Sequence, residues 1–168
     1  MVQDFAYFER GIDRISRQLP GMPRDRVVLN RLFFSVFKEL DELYNRHLEE
    51  HGLNTSSFLA MVMLISCEEN RLNPRDLSNA LVASRTNVTR LTDELVGAGW
   101  VARNPSIEDR RRVDLSLTAA GRELILGVLP KVWLLIERQW ADFSADEIVA
   151  FDLLLRKMQR SLSRIKDA

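Results

Sequence analysis

The chain of 168 residues contains one cysteine, Cys67, and two histidines, His47 and His51. One cysteine excludes an intramolecular disulfide, and no cysteine and histidine cluster has the spacing of a metal site, so we expect no metal and no other cofactor. The histidines are four residues apart without a third ligand nearby, and we expect them to be solvated. Cys67 follows an apolar run, which favours a buried core thiol over a redox sensor.

Long apolar segments are missing as well. No run approaches the roughly 20 residues that span a bilayer. The N-terminal sequence MVQDFAYFERGID lacks the basic start and apolar core of a secretory signal. The chain also has no paired-carboxylate or phosphate-loop motif with which an enzyme would work. We therefore expect a cytoplasmic protein that neither binds a membrane nor catalyses a reaction.

The formal net charge is zero, which at first argues against a nucleic-acid partner. The charges are unevenly distributed, however. Between residues 71 and 112 there are eight arginines and no lysine against five acidic residues, a local excess of three positive charges. Because DNA affinity depends on the phosphates that are neutralised locally, a neutral protein with one basic face can bind DNA. Arginine also suits bidentate contacts to phosphate and guanine.

Apolar residues recur at spacings of three and four along most of the chain, which predicts a mainly helical protein. The spacing predicts helices over about 5–19, 27–47, 58–66 and 74–82, and another that follows Ser84. Asn54, Thr55 and Ser56 are alternative caps for the third helix, and Asn73 precedes Pro74 as cap and first helical residue of the fourth.

Two long helices complete the prediction. Thr118 should cap the first, and Pro130 should kink that helix rather than end it. Ser144 and Glu147 have the spacing of a capping box for the second. The apolar residues of this last helix form a seam that requires a partner helix, and they are Ile148, Phe151, Leu155, Met158, Leu162 and Ile165.

A basic hairpin is predicted between these two groups of helices. Trp100 to Arg103 reads as a short strand, and apolar residues alternate with polar ones from Val113 to Leu117. The nine residues from Asn104 to Arg112 should form a projecting loop that ends in three arginines. Two short helices followed by such a hairpin form a helix–turn–helix with a basic hairpin, an arrangement that binds duplex DNA.

The helix after Ser84 should turn Val88, Leu91 and Leu95 inward. A helical wheel places small, hydrogen-bonding and basic side chains on the opposite side, which can approach base edges. These candidate DNA-binding residues are Ser84, Arg85, Thr86, Asn87, Thr89 and Arg90. Ser84 can cap the helix as well as contact DNA, because backbone N–H groups at a helix N-terminus favour phosphate.

The segments SRTNVTRLTDELVGAGWV and DRRRVDLSLTAAG resemble the recognition helix and the wing of the MarR family of winged helix–turn–helix transcription regulators. The resemblance extends from about Val27 to Lys166. It implies a mainly α fold with a small β-hairpin wing, in which N- and C-terminal helices form a dimerisation layer. The implied domains are 1–52 for the N-terminal dimerisation helices, 53–118 for the DNA-binding domain and 119–168 for the C-terminal dimerisation helices.

The resemblance also assigns roles to the wing. Arg110 and Arg111 match the arginines that reach into the minor groove in the family, and Arg112 is an additional basic residue that we count among the DNA-binding candidates. Asp109 matches the acidic residue of the family's wing tip. We interpret Asp109 as structural, since it can pair with one of the three arginines.

The implied partners are double-stranded DNA, a second copy of the chain and a small lipophilic or phenolic effector. Phe37, Met61, Met63 and Trp133 are candidates for an effector pocket, although each also fits an ordinary core. Within the family, SSFLAMVMLISCEE and SRTNVTR are most similar to EmrR/MprA-type repressors of multidrug efflux genes. An activator, or a winged-helix protein-interaction module that does not bind DNA, is the alternative function.

Overall fold

A computed structural model of the chain describes residues 5–67, 71–81, 84–106 and 113–166. The described residues form seven helices and one antiparallel hairpin, which confirms the predicted fold class. In chain order the elements are α1 (Phe5–Gln18), α2 (Arg24–Glu49), α3 (Thr55–Ser66), α4 (Pro74–Ala80), α5 (Arg85–Gly97), β1 (Val101–Pro105), β2 (Val113–Leu117), α6 (Ala119–Gln139) and α7 (Ala145–Lys166). The chain divides into two compact units, Met1–Ile125 and Leu126–Ala168.

In the first unit, α1 is held against the start of α2 by charge and by an aromatic contact. The Arg24 guanidinium lies 2.6 Å from the Asp13 carboxylate and 3.6 Å from that of Glu9. Hydrogen bonds to Asp13 and then to Asp25 raise the pKa of Arg24. Further along α2, the guanidinium carbon of Arg31 lies 4.4 Å from the centre of the Phe8 ring, a cation–π distance.

The core of the first unit includes α3, whose sequence contains the nearly continuous apolar run FLAMVMLI. Phe58, Ala60, Met61 and Leu64 are buried. Of the three alternative caps, Asn54 is the one used, and its side chain forms a reciprocal capping box with Ser57. The Asn45 side chain of α2 accepts hydrogen bonds from the backbone and hydroxyl of Thr55 at 2.8 and 3.1 Å. This contact fixes the start of α3 to α2.

The hairpin is longer than the sequence predicted. β1 pairs with β2 from Val101↔Leu117 to Pro105↔Val113, so Asn104 and Pro105 belong to the strand and not to the loop. The Asn104 amide donates a 2.8 Å hydrogen bond to the hydroxyl of Ser116 and extends the pairing. Leu72 forms an isolated bridge with Leu115, through two backbone hydrogen bonds of 2.9 and 3.0 Å.

In the second unit, α6 does not end at Pro130 but continues to Gln139. The predicted capping box before α7 is confirmed. The Ser144 N–H donates to the Glu147 carboxylate at 2.8 Å, and the Glu147 N–H donates to the Ser144 hydroxyl at 3.3 Å. The Trp140 ring contacts the rings of Phe143 and Phe151 at centroid distances of 5.1 and 5.6 Å.

Two minor predictions were wrong. Cys67 is partly exposed rather than fully buried, and it lies at the C-cap position directly after α3. His47 and His51 are both partly buried rather than solvated, and within the described residues the Nε2 atom of His47 is buried without a hydrogen-bond partner. Neither a helix able to cross a membrane nor a metal-binding cluster occurs within the described ranges.

Candidate nucleic-acid interface

The interface is built on two consecutive helices with well-defined starts. The Asn73 side chain caps α4 by accepting a hydrogen bond from the Asp76 N–H at 2.9 Å, and Pro74 occupies the first turn. The Ser84 hydroxyl caps α5 by accepting from the Asn87 N–H at 3.3 Å. α4 ends at Ala80, slightly earlier than predicted, and Leu77 fixes it to the core with a fully buried side chain.

The inner face of α5 anchors this helix in the core. Val88, Leu91 and Leu95 are buried, as the sequence predicted. Thr92 is also buried, which was not predicted, and its hydroxyl is satisfied by donating to the Val88 carbonyl at 2.7 Å. Four buried side chains on one face leave the helix no freedom to rotate, so its opposite face has a fixed orientation.

The outer face of α5 is the recognition face, which we define by the exposed residues Ser84, Thr86, Asn87, Thr89 and Arg90. The structure therefore brings five of the six predicted helix residues to one accessible surface. The sixth, Arg85, begins α5, and its side chain lies outside the described residues. The first turn of α5 contains no acidic residue that would neutralise the positive end of the helix dipole.

Arg90 of the recognition face has an ion-pair partner that was not predicted. Its Nη1 atom lies 2.5 Å from Oε1 of Glu94, one helical turn further along α5. Both side chains are exposed, Arg90 by 70% and Glu94 by 50%. The i,i+4 spacing of the two residues is the sequence signal that would have predicted the pair.

A second ion pair connects α5 to the hairpin. The Arg103 Nη2 atom of β1 lies 2.5 Å from Oδ1 of Asp93. Between the two elements, Gly99 adopts a left-handed φ of 76°, and the Trp100 N–H donates to the Leu95 carbonyl at 3.0 Å to close the helix end. The hairpin is thus tied to the recognition helix by Trp100, which directly precedes β1, and by Arg103, the third residue of β1.

The start of α6 is fixed to this same turn. Thr118 caps the helix as predicted, since its hydroxyl accepts from the Gly121 N–H at 3.0 Å. The same hydroxyl donates to the Gly99 carbonyl at 2.7 Å. One threonine therefore connects the end of α5, the hairpin and the beginning of α6.

The wing tip itself, with Asp109, Arg110, Arg111 and Arg112, lies outside the described residues. β1 ends at Pro105 before it, and β2 begins at Val113 after it. The minor-groove role of the arginines and the structural role of Asp109 stay predictions.

The four candidate pocket residues are found in different surroundings. Met61 is fully buried in the core, and Met63 is partly buried. Phe37 on α2 and Trp133 in the second unit are exposed. The effector pocket stays a prediction.

Comparison with known proteins identifies the family. The MarR family model matches residues 53–113, which include α3, α4, α5 and β1. Over 166 residues the chain is 35% identical to the transcriptional repressor MprA of Escherichia coli K12, covering 99% of this chain and 94% of the relative. The chain belongs to the MarR family. It is also 30% identical to the Escherichia coli HTH-type transcriptional regulator PapX over 146 residues, or 87% of this chain and 89% of PapX.

Solved structures of MarR proteins have the same fold. A mutant MarR from E. coli complexed with operator DNA superposes with a TM-score of 0.73 at 26% identity, covering 82% of this chain and 97% of the other. AbsC from Streptomyces coelicolor has a TM-score of 0.74 at 23% identity over 79% of this chain and 90% of its own. The MarR relatives are named as transcription regulators, which indicates regulation rather than catalysis.

Proposed function

We propose that this MarR-family chain is a DNA-binding transcriptional repressor that binds a pseudo-palindromic operator as a homodimer. The main support for the proposal is the recognition face, an exposed set of hydroxyl, amide and guanidinium groups. It lies on a helix whose opposite side is buried in the core. The repressor name of the E. coli relative and the operator complex of the MarR structure support it.

The chemistry of the recognition face fits a major groove. Arginine donates two hydrogen bonds to guanine, asparagine donates to and accepts from adenine, and threonine contacts several bases through its hydroxyl or methyl group. Ser84 and Asn87 stand at the N-terminal end of α5, where backbone N–H groups and the helix dipole attract phosphate. We infer that the side chains of Arg90 and Asn87 contact bases and that backbone N–H groups at the start of α5 contact phosphate.

The C-terminal helix supports a homodimer. None of the 22 residues of α7 is buried within one chain, and Leu153, Leu154 and Ile165 expose more than half of their side-chain surface. An apolar surface of this length is covered in a stable protein, and a second copy of the same helix is its complementary partner. Two recognition helices would then enter successive major grooves about 34–36 Å apart.

We further propose that a small lipophilic or phenolic effector releases the DNA. The effector would favour a dimer in which the spacing of the two α5 helices no longer matches successive grooves, so that effector and operator compete by population shift. Phe37, Met61, Met63 and Trp133 remain our candidates for its pocket. Multidrug efflux or stress-response genes are the proposed targets, and the cytoplasm is the proposed compartment.

The test is selection of duplex DNA by the purified full-length chain from a library of genomic fragments. A regulator enriches a small number of fragments that share an inverted repeat with half-site centres about 10 base pairs apart. Lipophilic phenols should then lower the affinity for the enriched fragment. A protein-interaction module would enrich no sequence over the input, and this result would overturn the proposal.

A further inference from the structure

The ion pair on the recognition face suggests how binding is restricted to the operator. α5 contains two acidic residues, Asp93 and Glu94, and the two carboxylates have different partners. Asp93 pairs with Arg103 of β1, whereas Glu94 pairs with Arg90 of the recognition face. The guanidinium that points toward DNA in our proposal is therefore already engaged by a carboxylate of its own helix.

The geometry of the pair leaves Arg90 with further hydrogen-bond donors. A guanidinium carries five N–H donors, and the bond to Glu94 uses Nη1. This bond does not use the donors on Nη2 and Nε, so they stay available for a base edge while the pair is intact. A phosphate, in contrast, would have to approach Glu94 as well as Arg90, and two anions sharing one guanidinium repel each other.

We propose that Glu94 is a specificity-determining residue of the recognition helix. It holds Arg90 so that the guanidinium is not a free cation for any phosphate, yet remains oriented toward a base edge of the operator. An exposed i,i+4 pair is weak, so the operator contact can still adjust Arg90. Glu94 thus weakens binding to unspecific DNA more than binding to the operator. The inference rests on the proposed function.

The test compares the Glu94→Gln variant with the parent chain on two duplexes, the selected operator and a scrambled sequence of equal length. Glutamine keeps the size of the side chain and removes its charge. We expect affinity for the scrambled duplex to rise about threefold to tenfold, with a salt dependence steeper by about one released counterion, because Arg90 gains a phosphate contact. Affinity for the operator should change less than about twofold. The ratio of operator affinity to scrambled-duplex affinity should therefore fall.

A matched control is available on α2. Lys38 and Glu42 form an exposed i,i+4 pair at 3.5 Å, and Glu42→Gln removes the same charge from the same kind of pair. This variant should leave the ratio of operator to scrambled affinity unchanged. Thermal unfolding of both variants checks that the fold is retained.

A double-mutant cycle separates the pair from a general charge effect. In an Arg90→Ala background, Glu94→Gln should no longer change the ratio. An equal gain on both duplexes, or an effect that persists fully without Arg90, would overturn the role of Glu94. If the parent chain showed no selective DNA binding at all, the proposed function would fail instead, so the two failures are distinguishable.

Discussion

Gly121 lies directly against the main chain of Trp100. A Cβ atom at residue 121 would be 2.0 Å from the Trp100 carbonyl oxygen and 2.8 Å from the carbonyl carbon, distances that no side chain tolerates. The same carbonyl accepts a 3.0 Å hydrogen bond from the Thr118 N–H. The Leu-Thr-x-x-Gly sequence at the start of α6 thus has a steric cause, since only glycine allows α6 to approach the turn between α5 and β1.

Gly121→Ala should destabilise the first unit, because the added methyl group pushes α6 away from backbone that cannot yield. Overpacking of this kind costs about 1–3 kcal/mol. The measurement is thermal or urea unfolding followed by circular dichroism. Gly127→Ala is the matched control on the same helix, where nothing lies within 4 Å of the added Cβ. It should be neutral or should stabilise the chain by up to about 1 kcal/mol; similar losses for both variants would contradict the steric explanation.

Arg90→Ala should reduce discrimination between operator and scrambled duplex. A bidentate base contact is worth about 1–3 kcal/mol, and the loss should appear on the operator only. Fluorescence anisotropy with both labelled duplexes at one fixed salt concentration measures it. Equal losses on the two duplexes would reduce Arg90 to a phosphate contact.

The double change of Arg110→Ala and Arg111→Ala should weaken binding to every sequence to a similar extent. Arginines in the minor groove respond to groove width and potential more than to base identity. The dependence of affinity on salt concentration should become shallower by about one to two counterions. If affinity and salt dependence were both unchanged, the assignment of these residues to the wing contact would be wrong.

A dimer interface on α7 predicts that Leu162→Glu shifts the chain toward monomers. Leu162 is half-exposed in one chain and belongs to the predicted apolar seam, so a charge there would be buried without a partner in the dimer. Sedimentation velocity at micromolar concentration measures the shift. Gln159→Glu adds the same charge at an exposed polar position of α7 and should leave the dimer intact. Dimers that persist in the Leu162 variant would place the interface elsewhere.

The capping box of α7 predicts a dependence of stability on pH. Hydrogen bonds from the Ser144 backbone and then its hydroxyl lower the pKa of Glu147 from its ordinary value of 4.5. The carboxylate therefore stabilises the folded state fully above this ordinary value, and the contribution is lost as the pH falls through the lowered pKa. The difference in melting temperature between the parent chain and Glu147→Gln should be present at neutral pH and vanish in acid. A melting-temperature difference that does not depend on pH would show that ionisation of Glu147 does not contribute to stability.

Periodic and local signals explain what the sequence predicted correctly. The alternation of threes and fours located the amphipathic helices, and short-range patterns located the caps at Asn73, Ser84 and Ser144. The inward side of α5 followed from the same spacing, and so did its recognition face.

Contacts between distant residues explain what the sequence did not predict. The bridge between Leu72 and Leu115 involves a single residue outside any strand, so no alternation marks it. The pair of Asp93 with Arg103 spans ten residues and two elements. The burial of Thr92 was not predicted because a polar side chain is expected on the exposed side of a helix. Thr92 can be buried because its hydroxyl donates a hydrogen bond to the Val88 carbonyl.

The most direct test of a sequence-reading α5 is the affinity ratio between the selected operator and a scrambled duplex, measured by anisotropy at physiological salt. Specific regulators bind their sites about 10³-fold to 10⁷-fold more tightly than random DNA. We predict a ratio of at least about 10³ for the parent chain and a fall of about fivefold or more for Arg90→Ala. A ratio close to one for the parent chain would show that α5 does not read the DNA sequence.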